Sequence, residues 1–166
     1  MLEEKRSGFI AVIGSPNSGK STLINHFIGQ KVTIVTRKVQ TTRSVIRGIC
    51  IHKESQLVFS DTPGIFEPKR RLDRAMVEAA WGSSSDADII LFLYDAQKSR
   101  IDNETNKILN ELAQSTKKKI LVLNKVDLVE NKTLLPLIKN FEGLCSFDAT
   151  FIISALTGEG LSLIHI

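Results

Sequence analysis

Gly14, Ser15, Pro16, Asn17, Ser18, Gly19, Lys20 and Ser21 set two glycines, a lysine and a hydroxyl at the spacing G-x-x-x-x-G-K-[ST], after an apolar run and before a helical pattern. Such a segment binds phosphates for a physical reason. Successive backbone N–H groups wrap the oxygens, a helix N-terminus adds partial positive charge, and the lysine neutralises the outer phosphates. Lys20 is the candidate for that charge. Ser21 is placed to coordinate Mg²⁺ through its hydroxyl, and Thr22 continues the same phosphate-facing turn.

Two further motifs extend the chemistry. Asp61, Thr62, Pro63 and Gly64 follow the apolar run LVFS. An Asp at such a strand end faces the metal, and a glycine lets its backbone N–H approach a terminal phosphate unobstructed. Ile65 and Phe66 then look exposed, and the basic Lys69, Arg70 and Arg71 open a helix. Asn124, Lys125, Val126 and Asp127 end the run KILVLNK. The Asp127 carboxylate can accept two hydrogen bonds, from guanine N1–H and the exocyclic amine; adenine lacks that donor pair and would leave the charge unpaired. Ser154, Ala155 and Leu156 end the last strand-like run, where a backbone N–H can meet the guanine oxygen. The competing reading of NKVD alone is an exposed strand-end turn.

These loops need a scaffold. The 166 residues, 42% hydrophobic and 24% charged, suit one domain with its own core. A net charge of +4 fits a polyanionic partner without requiring one. Cys50 and Cys145 form no C-x-x-C pair and read as small core residues of a reducing compartment. No apolar run approaches the roughly 20 residues of a membrane span, so a cytoplasmic protein is expected. The runs at 9–14, 57–60, 88–95, 119–125 and 150–154 read as buried strands, and 44–52 as an edge strand. Helical patterns lie over 20–28, 71–83, 103–113 and 132–141. Alternation of the two predicts an α/β fold with a largely parallel sheet covered by helices on both faces. Joined to the phosphate and guanine motifs, it is expected to be a P-loop G domain with a mostly parallel six-stranded sheet, and the family resemblance given below implies that its last helix is incomplete. Lys117, Lys118 and Lys119 read as a solvated turn, and Trp81 as packing.

Together GSPNSGKSTL, VTIVTRKVQTTRSVIRGI, DTPGIFEPKRRLDRAMVEAA and NKVDL resemble the Era family of bacterial GTPases, from Gly8 to Gly160. The related Der and tRNA-modifying GTPases follow the paired threonines with Arg-Asp, whereas Thr42 here precedes Arg43-Ser44. The resemblance implies a GTP/GDP switch that hydrolyses GTP with Mg²⁺. Ser21, Asp61 and a loop threonine serve the metal: Thr42 is preferred, with Thr41 as the alternative. Lys20, Thr42 and Asn17 are the catalytic candidates. Many small GTPases carry Gln where Ile65 stands, so water must be oriented otherwise. In the resembled branch an Asn at the position of Asn17 goes with K⁺ beside the phosphates; simple turn chemistry after Pro16 is the other reading.

The implied partners are the small ribosomal subunit and its 16S rRNA, met by a monomer. The Lys69–Arg71 cluster can meet RNA or anionic lipid, the latter placing the protein at the periphery of the inner membrane, or can be a solvated helix start. Era-like proteins carry a C-terminal KH domain that binds rRNA. Here residues 1–160 account for the G domain and 161–166, LSLIHI, form a tail unlike the usual amphipathic helix. The expectation is a truncated frame or fragment without the KH domain, with weak RNA binding. The alternative function is a nucleotide-binding module without competent hydrolysis.

Overall fold

The structure is a computed structural model that describes residues 6–29, 46–53, 55–65, 68–69 and 71–164. In chain order the elements are β1 (Arg6–Ile13), α1 (Lys20–Ile28), β2 (Ile46–His52), β3 (Ser55–Asp61), α2 (Arg71–Asp86), β4 (Ile89–Asp95), α3 (Asn103–Gln114), β5 (Lys118–Asn124), α4 (Asn131–Glu142), β6 (Ala149–Ile152) and the short α5 (Leu161–Ile164). A 3₁₀ turn, Val126–Leu128, leaves β5. The six strands form one sheet in the order β2-β3-β1-β4-β5-β6. All neighbours are parallel except β2 and β3, which pair antiparallel.

The central strands are apolar on both faces because both faces are covered. Along β4, Ile90, Phe92 and Tyr94 enter the core beneath α3 and α4, while Leu91 and Leu93 enter the core beneath α1. This period of two divides one continuous apolar run between two cores. Tyr94 packs edge-on against Phe141 of α4 at 4.8 Å between ring centres. Its hydroxyl donates to the carbonyls of Lys98 and Arg100 and so secures the loop after β4. Asp102 caps α3 by accepting from the Thr105 amide at 2.8 Å.

Several expectations need adjustment. Ile65 is buried, 6% exposed, among Ile13, Ala80 and Ile90, so it is a core residue and not an exposed loop apolar. Lys118 and Lys119 belong to β5, and Lys119 is buried with Nζ donating to the Ser115 carbonyl at the end of α3. A lysine stem buries readily when its head finds a carbonyl. Helix α2 runs on through Asp86, with Ser84 and Ser85 turning their hydroxyls back to the Trp81 carbonyl. Residues 161–164 form a single helical turn, with Leu161 buried and Ile164 packed against the α1-side core. Trp81 does pack on the core. Both cysteines are free, Cys145 buried and Cys50 donating to the Phe27 carbonyl.

Candidate functional site

The carboxyl ends of β1, β3, β4, β5 and β6 meet along one rim of the sheet, where open α/β sheets bind ligands. The turn leaving β1 passes directly into α1 and wraps the Lys20 side chain. Lys20 is 6% exposed, and its Nζ donates to the carbonyls of Ser15 at 2.9 Å and Gly14 at 3.3 Å. Burial pushes the Lys20 ammonium down to about 8, against the opposing pull of Asp61. Asn17, at φ 60, forms the crest of the turn between half-buried Pro16 and fully buried Ser18. Gly19, at φ 102, lies so close to the Asn124 amide that a Cβ there would collide with Nδ2. Thr22 follows, half-buried, in the first turn of α1.

At the end of β3, Asp61 is fully buried and accepts from Ser21 Oγ at 2.6 Å. A hydroxyl and a carboxylate side by side, next to Lys20, make a hard oxygen set that fits Mg²⁺ completed by phosphate oxygens. Thr62 is also buried and donates to the Val12 carbonyl at 2.7 Å, pinning the strand end to β1. After Pro63, Gly64 lies flat against Pro16: a Cβ would sit 2.7 Å from three Pro16 atoms. Ile65 closes the segment by donating its amide to the Gly14 carbonyl at 2.9 Å. Thr42, its alternative Thr41, and Phe66, Glu67 and Arg70 lie outside the described residues.

The base-reading residues sit on the other side of the turn. Asn124 is 2% exposed and bridges two loops: Nδ2 donates to the Ser18 carbonyl at 2.9 Å, and Oδ1 accepts from the Ala155 amide at 2.8 Å. Lys125, at φ 64, reaches across the rim so that Nζ contacts the Asn17 carbonyl at 2.7 Å and Asp95 Oδ2 at 2.6 Å. Asp127 stands exposed on the 3₁₀ turn, its carboxylate open to a ligand. Ser154 is buried and organises the turn after β6 by bonding to Thr157, Gly158 and Glu159. The Ala155 amide is engaged with Asn124, so a guanine oxygen would share that donor or meet the amide of exposed Leu156. Asp95 is the residue that sequence reasoning missed; its one signal is a carboxylate closing the strand beside the one that ends in NKVD.

A sequence family described as 50S ribosome-binding GTPase matches residues 9–125, the greater part of the chain. The chain belongs to that GTPase family. Within it, the GTPase Era of Brucella melitensis is 56% identical over 157 residues, which are 95% of this chain and 50% of that protein. The chain thus spans about half the length of the curated relatives it matches. Two solved structures agree in shape. One is Era in complex with MgGDPNP and nucleotides 1506–1542 of 16S ribosomal RNA: TM-score 0.91, 36% identity, 98% of this chain and 55% of that one. The other is an Aquifex aeolicus Era variant bound to GDP and AlF4⁻: TM-score 0.88, 38% identity, 96% of this chain and 55% of that one. The mostly parallel sheet of six strands is therefore the G-domain fold of this GTPase family. Among the described residues no helix is long and apolar enough to cross a membrane.

Proposed function

We propose that this chain is a GTP-binding switch that hydrolyses GTP to GDP and phosphate, with its G domain within residues 1–160, and that it acts in assembly of the small ribosomal subunit. The observation that supports it best is the Asn124 bridge, which joins the phosphate turn and the base-reading turn into one frame. Asp127, exposed beside that frame, reads the guanine N1–H and amine. The turn from Gly14 to Ser21 cradles the phosphates, and Lys20 neutralises them. Ser21 and Asp61 hold Mg²⁺, joined by Thr42. When bound, the ion neutralises charge on the outer phosphates during transfer. Positioning and charge do most of the work. Ile65 faces the core and cannot orient water. Asn17, at the crest of the phosphate turn, is the residue that would hold a K⁺ ion, which would supply positive charge beside the phosphates. The rRNA contact is proposed from the Era complex with 16S rRNA, and the cytoplasm is the proposed setting.

The test is nucleotide binding and phosphate release by this chain with Mg²⁺, in potassium and in sodium. Expected are GDP binding in preference to ADP and faster phosphate release in potassium, with Asn17→Ala removing the difference. Equal rates in both salts would remove the potassium role. Tight GDP binding with no release in either salt would leave a binding module in place of an enzyme, and ADP binding as tight as GDP would overturn the guanine assignment.

A further inference from the structure

Lys125 is an awkward residue to hold in place. Its backbone lies in the left-handed region, at φ 64, where a side chain with a Cβ is disfavoured, and its ammonium must cross from the end of β5 to the phosphate turn. One neighbour offsets both. Asp95 lies directly opposite Asn124 in the β4–β5 register, so its carboxylate emerges beside Lys125. Its two oxygens divide their work. Oδ1 accepts from the Gln97 amide at 3.0 Å, a local turn of the kind Asp and Asn both make. Oδ2 takes the Lys125 ammonium at 2.6 Å, and the pair is mostly shielded, with side-chain exposures of 29% and 14%.

We propose that Asp95 is a positioning residue for guanine-nucleotide binding, acting through Lys125. This inference rests on the nucleotide-binding function argued above. The Lys125 ammonium also contacts the Asn17 carbonyl at the crest of the phosphate turn. The Lys125 backbone is the residue from which the 3₁₀ turn bearing Asp127 starts. Fixing one ammonium therefore fixes both loops that grip the nucleotide. A lysine head is a compact point charge on a flexible stem, and without an anionic anchor it samples many rotamers. A charge-assisted bond in a shielded site is strong enough to select one of them.

The division of the two oxygens supplies a clean test. Asp95→Asn keeps an acceptor for the Gln97 amide and removes the charge that holds Lys125. Dissociation of a fluorescent GDP is measured for wild type, Asp95→Asn, Lys125→Met and the double variant, alongside thermal unfolding without nucleotide. Expected is GDP dissociation about tenfold faster in Asp95→Asn, the order of one lost charged hydrogen bond. The double variant should release GDP no faster than Lys125→Met alone, because both changes break the same link. Asp95→Asn with the wild-type off-rate overturns the inference, as does a double variant whose effect is the product of the two singles. Wild-type protein that binds no guanine nucleotide would overturn the function itself, whereas normal binding unaffected at position 95 sinks this inference alone.

Discussion

At the base end of the rim, Asn124 and Lys125 tie three loops together through polar bonds to Ser18, Ala155, Asn17 and Asp95. At the metal end, Ser21 and Asp61 bond to each other, and the strand end is otherwise kept in place by Thr62, by the amide of Ile65 and by burial of the Ile65 side chain. The base end is thus built before any nucleotide arrives, from groups that a ligand need not displace. At the metal end the Ser21 hydroxyl donates to Asp61 while its oxygen keeps lone pairs for an ion, next to a segment anchored by apolar packing. Pre-organisation by several polar bonds favours tight, selective grip of the base; a site completed by the ion and phosphate favours a response to what occupies it.

The largest test of this contrast is Asn124→Ala. It strands a buried carbonyl at Ser18 and a buried amide at Ala155, costing about 4 kcal/mol at one to three per group. Denaturant unfolding of the nucleotide-free protein should show that loss together with collapse of GDP affinity; a stable variant with weak binding would mean the bridge is not structural. Next comes Ile65→Ala, expected to cost about 3 kcal/mol as a buried aliphatic truncation. Here GDP affinity should change little, and equal damage to affinity would erase the distinction between the ends. The smallest effect serves as a control away from both. Asp102→Ala removes the cap of α3 and should cost about 1 kcal/mol at neutral pH, with unchanged nucleotide binding. Burial alone would raise the Asp102 carboxyl, but the Thr105 hydrogen bonds and Lys98 outweigh it and hold it below its ordinary value. A depressed carboxyl contributes its stability above the unfolded pKa and loses it as pH falls through the folded one. The gap between wild type and Asp102→Ala should therefore narrow as pH falls below the ordinary carboxylate value of about 3.9, as followed by thermal unfolding at each pH.

Much of the fold was readable because the central strands are covered on both sides and so appear as unbroken apolar runs. The phosphate turn and NKVD were readable because their chemistry is local in sequence. What escaped depends on distant partners. Ile65 looks like a loop residue until Ile13 and Ala80 are brought against it. Lys119 looks solvated until the end of α3 offers the Ser115 carbonyl. Asp95 looks like an ordinary turn carboxylate, since its cation lies 30 positions away. The last turn of α2 was hidden by serines, which read as loop formers unless their hydroxyls find a helix carbonyl.

The Asn124 bridge also sets an order in time. It links the phosphate turn to a residue 106 positions later, and that residue to Ala155 a further 31 positions on. A ribosome adding about 5–20 residues per second exposes the phosphate turn many seconds before its partners exist. During that interval β3 and β4, the two strands that flank β1, are made first, and β5 and β6 follow. The grip on guanine is consequently complete only after β6 and the turn that follows it have been made, so that capture of a nucleotide signals that the whole sheet through β6 has been synthesised and closed.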